Sequence, residues 1–120
     1  LLFNHNPYNV GRLTGLYFFY VLKKNKLAVL YDDSVSSYIS TAKGFEDIKN
    51  IGANIALEPF DGTNSSVDLS AHLDRLKLTN PEVIFILSDS TLYYEALKIA
   101  KDVLNINAIF ALTIFQMPSL

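Results

Sequence analysis

The chain has 120 residues, half of them hydrophobic, with 8 Phe and 7 Tyr, which suits one domain with a single core and argues against a disordered segment. A formal net charge of -2 argues against a nucleic-acid surface, and the absence of cysteine excludes disulfides and thiolate metal sites. The start "LLFNHNPYNV" lacks the pattern of a signal peptide, as a mature or trimmed domain also would, and the most apolar stretch, Leu16 to Leu22, is far short of the ~20 residues of a membrane span.

Pro7 opens the first helical pattern. Val10, Leu13, Leu16, Tyr17, Tyr20 and Val21 recur near the 3.6-residue period and predict its inward stripe. The second half, "LYFFYVL", is apolar nearly all round and predicts burial on more than one side. Lys23, Lys24 and Lys26 suit a solvated helix end. Leu27 to Tyr31 ("LAVLY") reads as the first strand. A helix follows over Ser34 to Asn50, with Ile39, Ala42, Phe45 and Ile48 on one face and Gly52 as its stop.

Asn54 to Phe60 reads as the second strand. Pro59 cannot donate to a ladder, so this strand should end there or lie at an edge. After the turn-forming "DGTNSS", Asp68 or Ser70 can cap a helix that buries Leu69, Leu73 and Leu76. Val83 to Leu87 is apolar at every position and predicts a strand buried on both faces. Thr91 to Leu104 follows as a helix with Leu92, Ala96, Ile99, Ala100 and Val103 inward, and Ala108 to Leu112 as the fourth strand.

This alternation predicts one α/β domain over residues 1–120: three layers, a doubly wound, flavodoxin-like parallel sheet in the order 2-1-3-4. Such sheets bind ligands beyond the carboxyl ends of the strands, where strand order reverses, here between the first and third strands. Asp32 to Ser37 emerge on one side of that point, and Ser88, Asp89, Ser90 and Thr91 on the other; Thr113 follows the fourth strand. Ser, Asp and Thr also cap helices, so Asp89 reads either as a cap alone or as a cap that touches ligand. The acidic tilt of this mouth favours a cationic or hydroxyl-rich ligand. Tyr93 and Tyr94 can stack on a ligand or pack. His5 and His72 lie far apart, no zinc site is expected, and His72 reads as structural. The markers of nucleophile-elbow hydrolysis and of phosphate or dinucleotide cofactors are missing, so neither a catalytic residue nor a cofactor is assigned.

In order along the chain, "KLAVLYDDS", a helix ending before "GANI", the Pro-containing second strand, "NPEVIFI" and "ALKIAKD" resemble the second lobe of the type I periplasmic solute-binding proteins. The branched-chain amino-acid binding proteins and the receptor ligand-binding regions are the nearest comparison. The resemblance implies an extracytoplasmic, non-enzymatic protein that serves an ABC-type importer. It implies a first lobe and a membrane permease as partners, with a small polar solute such as an amino acid held by hinge closure. By position, Tyr38 and Ser36 stand where the family often places a tyrosine. Ser88 and Asp89 follow the third strand, and Thr113 occupies the place of the carboxylate that grips an amino acid's ammonium. That exchange puts amino-acid specificity in doubt and leaves Asp89 as the replacement carboxylate. Asp33, Ser36, Tyr38, Ser88, Asp89, Ser90 and Thr113 are thus the candidate ligand-binding residues.

Two other readings stay open. "YDDS", "ILSDS" and "ALT" also resemble a response-regulator receiver, in which Asp32 or Asp33 would hold Mg²⁺, Asp89 would take phosphate and Thr113 would sense it. Against it stand the apolar helix before the first strand, the long loop after the second and the lack of a lysine-bearing fifth strand. Alternatively the lobe binds no small ligand and serves as a dimerisation or scaffold module, a homodimer joined through an apolar patch near Tyr17 to Leu22 or on the helix before Leu76.

Overall fold

The computed structural model describes residues 6–113, so His5 and the segment 114–120 lie outside the described residues. Helix α1 (Pro7–Leu16) continues into a π turn (Tyr17–Val21), and strand β1 (Lys26–Asp32) follows. Then come α2 (Ser36–Asp47) with a 3₁₀ turn (Ile48–Ile51), β2 (Asn54–Phe60) and α3 (Leu69–Lys77). Strand β3 (Val83–Leu87), α4 (Ser90–Lys98) with a second π turn (Ile99–Val103), and β4 (Ile109–Ala111) complete the chain.

The four strands form one parallel sheet in the expected order, β2-β1-β3-β4. Lys26 pairs with Asn54, Leu27 with Val83, and Val83 with Ile109, so all four amino ends lie together and all four carboxyl ends open on the opposite side. Pro59 is accommodated because β2 is an edge strand. Every residue of β3 is buried, as its unbroken Val-Ile-Phe-Ile-Leu run requires.

Alternation along the strands divides the core into two layers. Leu27, Val29, Val83, Phe85 and Leu87 pack with Ala42, Phe45 and Ile48 of the α1/α2 layer. Ala28, Leu30, Ile84 and Ile86 meet Leu69, Leu73 and Leu76 of α3, and Ala96 and Ala100 of α4. Phe85 anchors the first layer, its ring 4.9 Å from Phe18 and 4.6 Å from Phe45. On the other side His72 and Arg75 reach across to β2, where Glu58 Oε2 lies 2.7 Å from His72 Nδ1 and accepts from Arg75 Nε at 2.9 Å. Burial pushes the Glu58 carboxyl up, but the hydrogen bonds from Arg75 and His72 outweigh it and hold the group below its ordinary range.

The capping expectations hold. Asp68 accepts from the Ala71 N–H and Asp89 from the Leu92 N–H, while Gly52 ends the second helical segment at φ 103°.

The inward face of α1 differs from the periodic reading. Leu13, Tyr17, Tyr20 and Val21 are exposed, and the buried side is Gly11, Thr14, Gly15 and Phe18. The two glycines let α1 lie against α2 at backbone distance. A Cβ added to Gly11 would stand 1.9 Å from the Thr41 carbonyl oxygen, and one on Gly44 of α2 would stand 2.1 Å from that of Tyr8. The Tyr8 hydroxyl also donates to Asp47, tying the start of α1 to the end of α2. The π turn, closed by the Leu22 N–H on the Tyr17 carbonyl, shifts the helical phase, so of "LYFFYVL" only Phe18 is fully buried. Ile39 and Val103, also expected inward, are exposed.

Candidate functional site

The mouth forms where β1 and β3 send their chains to opposite faces of the sheet. From β1 the chain passes through 33–35 into α2, on one face; from β3 it turns through Ser88 and Asp89 into α4, on the other. The third wall is the long loop between β2 and α3, residues 61–68.

Asp32 clasps two of these loops. Its Oδ1 accepts from the Ser34 N–H at 3.0 Å, the Ser34 hydroxyl at 2.6 Å and the Gly62 N–H at 2.9 Å. Burial raises the Asp32 carboxyl, but these three hydrogen bonds outweigh it and set the group below its usual range. Gly62 permits the approach, since a Cβ there would stand 2.0 Å from Asp32 Oδ2. Asp33 is exposed, and its backbone N–H donates to Phe60 O at 2.8 Å. Asp61 turns back on its own loop, accepting from the N–H and hydroxyl of Thr63 at 2.9 and 2.6 Å.

The carboxylates of Asp32, Asp33 and Asp61 offer oxygens within 4.8 Å of one another, a donor set of the kind that hard cations accept. Two of the three already spend an oxygen on the clasp and the Thr63 turn. Asp89, the phosphate acceptor in the receiver-like reading, stands outside this group.

Opposite, Asp89 Oδ1 accepts from the Leu92 N–H at 2.9 Å, and the residue remains exposed. The Ser88 hydroxyl donates to the Asp89 carbonyl at 3.0 Å, and Ser90 is exposed on the first turn of α4. Tyr38 lies between the two sides. Its ring packs against the α1/α2 core layer, and its phenol is raised by burial first and then by the charges of Asp89 and Asp32. Ser36, two residues earlier and the first residue of α2, is exposed. Thr113 is fully buried beyond β4, and its hydroxyl has no hydrogen-bond partner among the described residues. Tyr93 packs on the α3/α4 layer, whereas Tyr94 is exposed, its ring edge-on to Tyr93 at 5.3 Å.

The Tyr38 phenol thus feels the charge of Asp89, 51 positions further along the chain, from across the switch point. The segments 32–37, 60–68 and 88–91 carry Asp32, Asp33, Asp61, Asp68 and Asp89 and no Lys or Arg. The mouth presents a negative field with hydroxyl groups and an aromatic wall, which attracts cations and hydrogen-bond donors. Sequence reasoning placed Asp32 in the mouth but missed its clasp to Gly62. The "DG" at 61–62 marks a turn, yet nothing local shows that its N–H meets a carboxylate 30 residues earlier.

No family profile and no curated protein matches the sequence. Among solved structures, the chain is similar to the leucine-binding protein LivK of Thermotoga maritima, with a TM-score of 0.71 and 18% identity over 88% of this chain. The two share a fold, a parallel sheet in the order β2-β1-β3-β4 with helices on both faces. The chain spans 29% of the length of that protein. Its carboxyl-end mouth is the part of this lobe fold that presents loops from both sides of the sheet to one space. Among the described residues, no helix is long and apolar enough to cross a membrane.

Proposed function

We propose that this chain is one lobe of an extracytoplasmic solute-binding protein, which holds a small polar solute against a second lobe and delivers it to a membrane permease of the ABC type. The observation that carries the reading is the acidic, hydroxyl-lined mouth at the β1/β3 switch point, where the loop after β1 is clasped to the loop after β2 through Asp32 and Gly62. The lobe fold shared with a leucine-binding protein supports it. In this reading the mouth is one jaw of a hinge and performs no covalent chemistry.

Each candidate residue then has a role. Asp33 and Asp89 accept hydrogen bonds from an ammonium or from hydroxyl groups of the solute. Ser36, Ser88 and Ser90 offer hydroxyls that donate or accept. Tyr38 supplies an apolar face with a polar tip. Thr113 lies at the same end of the sheet but is fully buried, so it backs the mouth and does not touch the solute directly. The preferred solute is cationic or rich in hydroxyl groups, because a carboxylate-only ligand would meet five aspartates and no compensating base.

A thermal-shift screen of the whole protein against L-amino acids, sugars, polyamines and short peptides tests this. A true solute at 100 times its dissociation constant stabilises by about 2.7 kcal/mol, which moves the midpoint by roughly 5 °C or more. A flat response across the panel, from protein that melts cooperatively, would contradict solute binding and favour the scaffold alternative.

A further inference from the structure

The end of the sheet opposite the mouth carries the reverse charge. The segments 22–26, 49–54, 77–82 and 101–109 close this end, tied together by backbone hydrogen bonds from Asn54 to Asn25, Glu82 to Lys26 and Ile109 to Glu82. They hold Lys23, Lys24, Lys26, Lys49, Lys77 and Lys101, six of the chain's ten basic residues, against Glu82 and Asp102. Lysines at helix carboxyl ends are favoured by the helix dipole, which accounts for part of this bias. It does not account for what stands among them. Leu78 is 84% exposed, Val103 65% and Ile109 49%, and Leu22 and Ile51 are exposed on the neighbouring turns.

We infer that this amino-end face docks on the surface of an anionic phospholipid bilayer. Large aliphatic side chains projecting among lysines match a headgroup layer, where the apolar groups sink to the acyl boundary and the ammonium groups meet phosphate. Charge complementarity selects this occupant over a second copy of the chain, because two such faces brought together would set six lysines against six. The mouth lies at the other end of the strands, so whatever fills it leaves this face free. A cavity of about 580 Å³ opens here between the amino ends of β1 and β2, with Lys26, Lys49, Asn54 and Thr79 on its walls. It has room for a lipid headgroup, and two lysines stand on its walls. The contact is peripheral: exposed loop-end side chains make it, and no described helix can span the bilayer.

Co-sedimentation of the protein with sucrose-loaded vesicles tests the inference. Vesicles of phosphatidylcholine with one-quarter phosphatidylglycerol are expected to bring the protein down, pure phosphatidylcholine vesicles to leave it in solution, and added salt to weaken the binding. Lys23→Gln with Lys24→Gln should lower the partition coefficient about 25-fold, and Leu78→Asn should lower it while leaving the salt dependence unchanged. All three positions lie outside the core, so the far-UV spectrum and melting temperature should stay as in the wild type. Equal binding to both vesicle types, no binding to the anionic vesicles, or variants that partition like the wild type would each overturn the proposal. So would capture by soluble polyglutamate with none by vesicles, which would make the partner an acidic protein.

Discussion

Gly44→Ala is expected to destabilise the domain by about 2 kcal/mol and Gly44→Val by about 3 kcal/mol, an opposite sign to the rule for helices. Helix propensity alone would have alanine stabilise α2 by about 0.5–1 kcal/mol. Here the added Cβ would stand 2.1 Å from the Tyr8 carbonyl oxygen and 2.7 Å from the Arg12 nitrogen. Both are backbone atoms, so α1 must move away from α2 as a unit. That movement would strain the contact at Gly11 and disturb Phe18, which packs on Phe85 from the end of the same helix. A domain of this size loses roughly 4–8 °C of melting temperature per kcal/mol, so the alanine variant should melt about 10 °C below the wild type. Urea unfolding of the pair measures the sign directly. A Gly44→Ala protein as stable as the wild type or more stable would contradict the backbone-contact account.

Asp32→Ala is the second large effect, expected to lower stability by about 3 kcal/mol at neutral pH. It removes the acceptor of three hydrogen bonds and leaves the Ser34 and Gly62 N–H groups with their partner gone. The loss is also pH-dependent in a fixed direction. The folded Asp32 carboxyl lies below its unfolded value of about 3.9, so its contribution is fully present above that value and is lost as pH falls through the lower folded value. The stability gap between wild type and Asp32→Ala should therefore be constant from about pH 7 to 5 and shrink below about pH 4. Glu58 and Glu82, whose carboxyls are also lowered by hydrogen bonds, destabilise both proteins on acidification and cancel in the difference. Chemical denaturation at a series of pH values measures the gap, and one that stayed constant down to pH 3 would contradict the clasp.

The sheet was legible because its strands are apolar runs that no amphipathic helix would tolerate, and because helix-forming segments separate them. Val83 to Leu87 needed no context, and parallel order with right-handed crossovers left few arrangements. Asp68, Asp89 and Gly52 were legible as helix ends because capping is local chemistry. The packing of α1 was not. Hydropathy favours Leu13, Tyr17 and Tyr20 as the buried stripe, whereas the protein buries Gly11, Thr14 and Gly15 to bring two backbones together, and a glycine carries no hydrophobic signal. The π turn then moves Tyr17 to Val21 off the 3.6-residue phase, as the second π turn does for Val103. In the mouth, the segments 33–37 and 88–91 followed from topology, but the inward turn of Asp32 depends on a contact with Gly62 that no periodicity encodes.

The proposed jaw gives Asp89 a ligand to serve as well as a helix, and one titration separates the two roles. Asparagine caps helices about as well as aspartate, so Asp89→Asn preserves the bond to the Leu92 N–H while removing the charge. Calorimetric titration of the whole protein, wild type and Asp89→Asn, with the solute that gives the largest thermal shift is the direct measurement. A hydrogen bond to a charged group is worth about 1.5–3 kcal/mol, so the variant should bind roughly 10- to 100-fold more weakly with its melting temperature unchanged. Equal affinity in the two proteins would leave Asp89 as a cap alone and contradict the jaw.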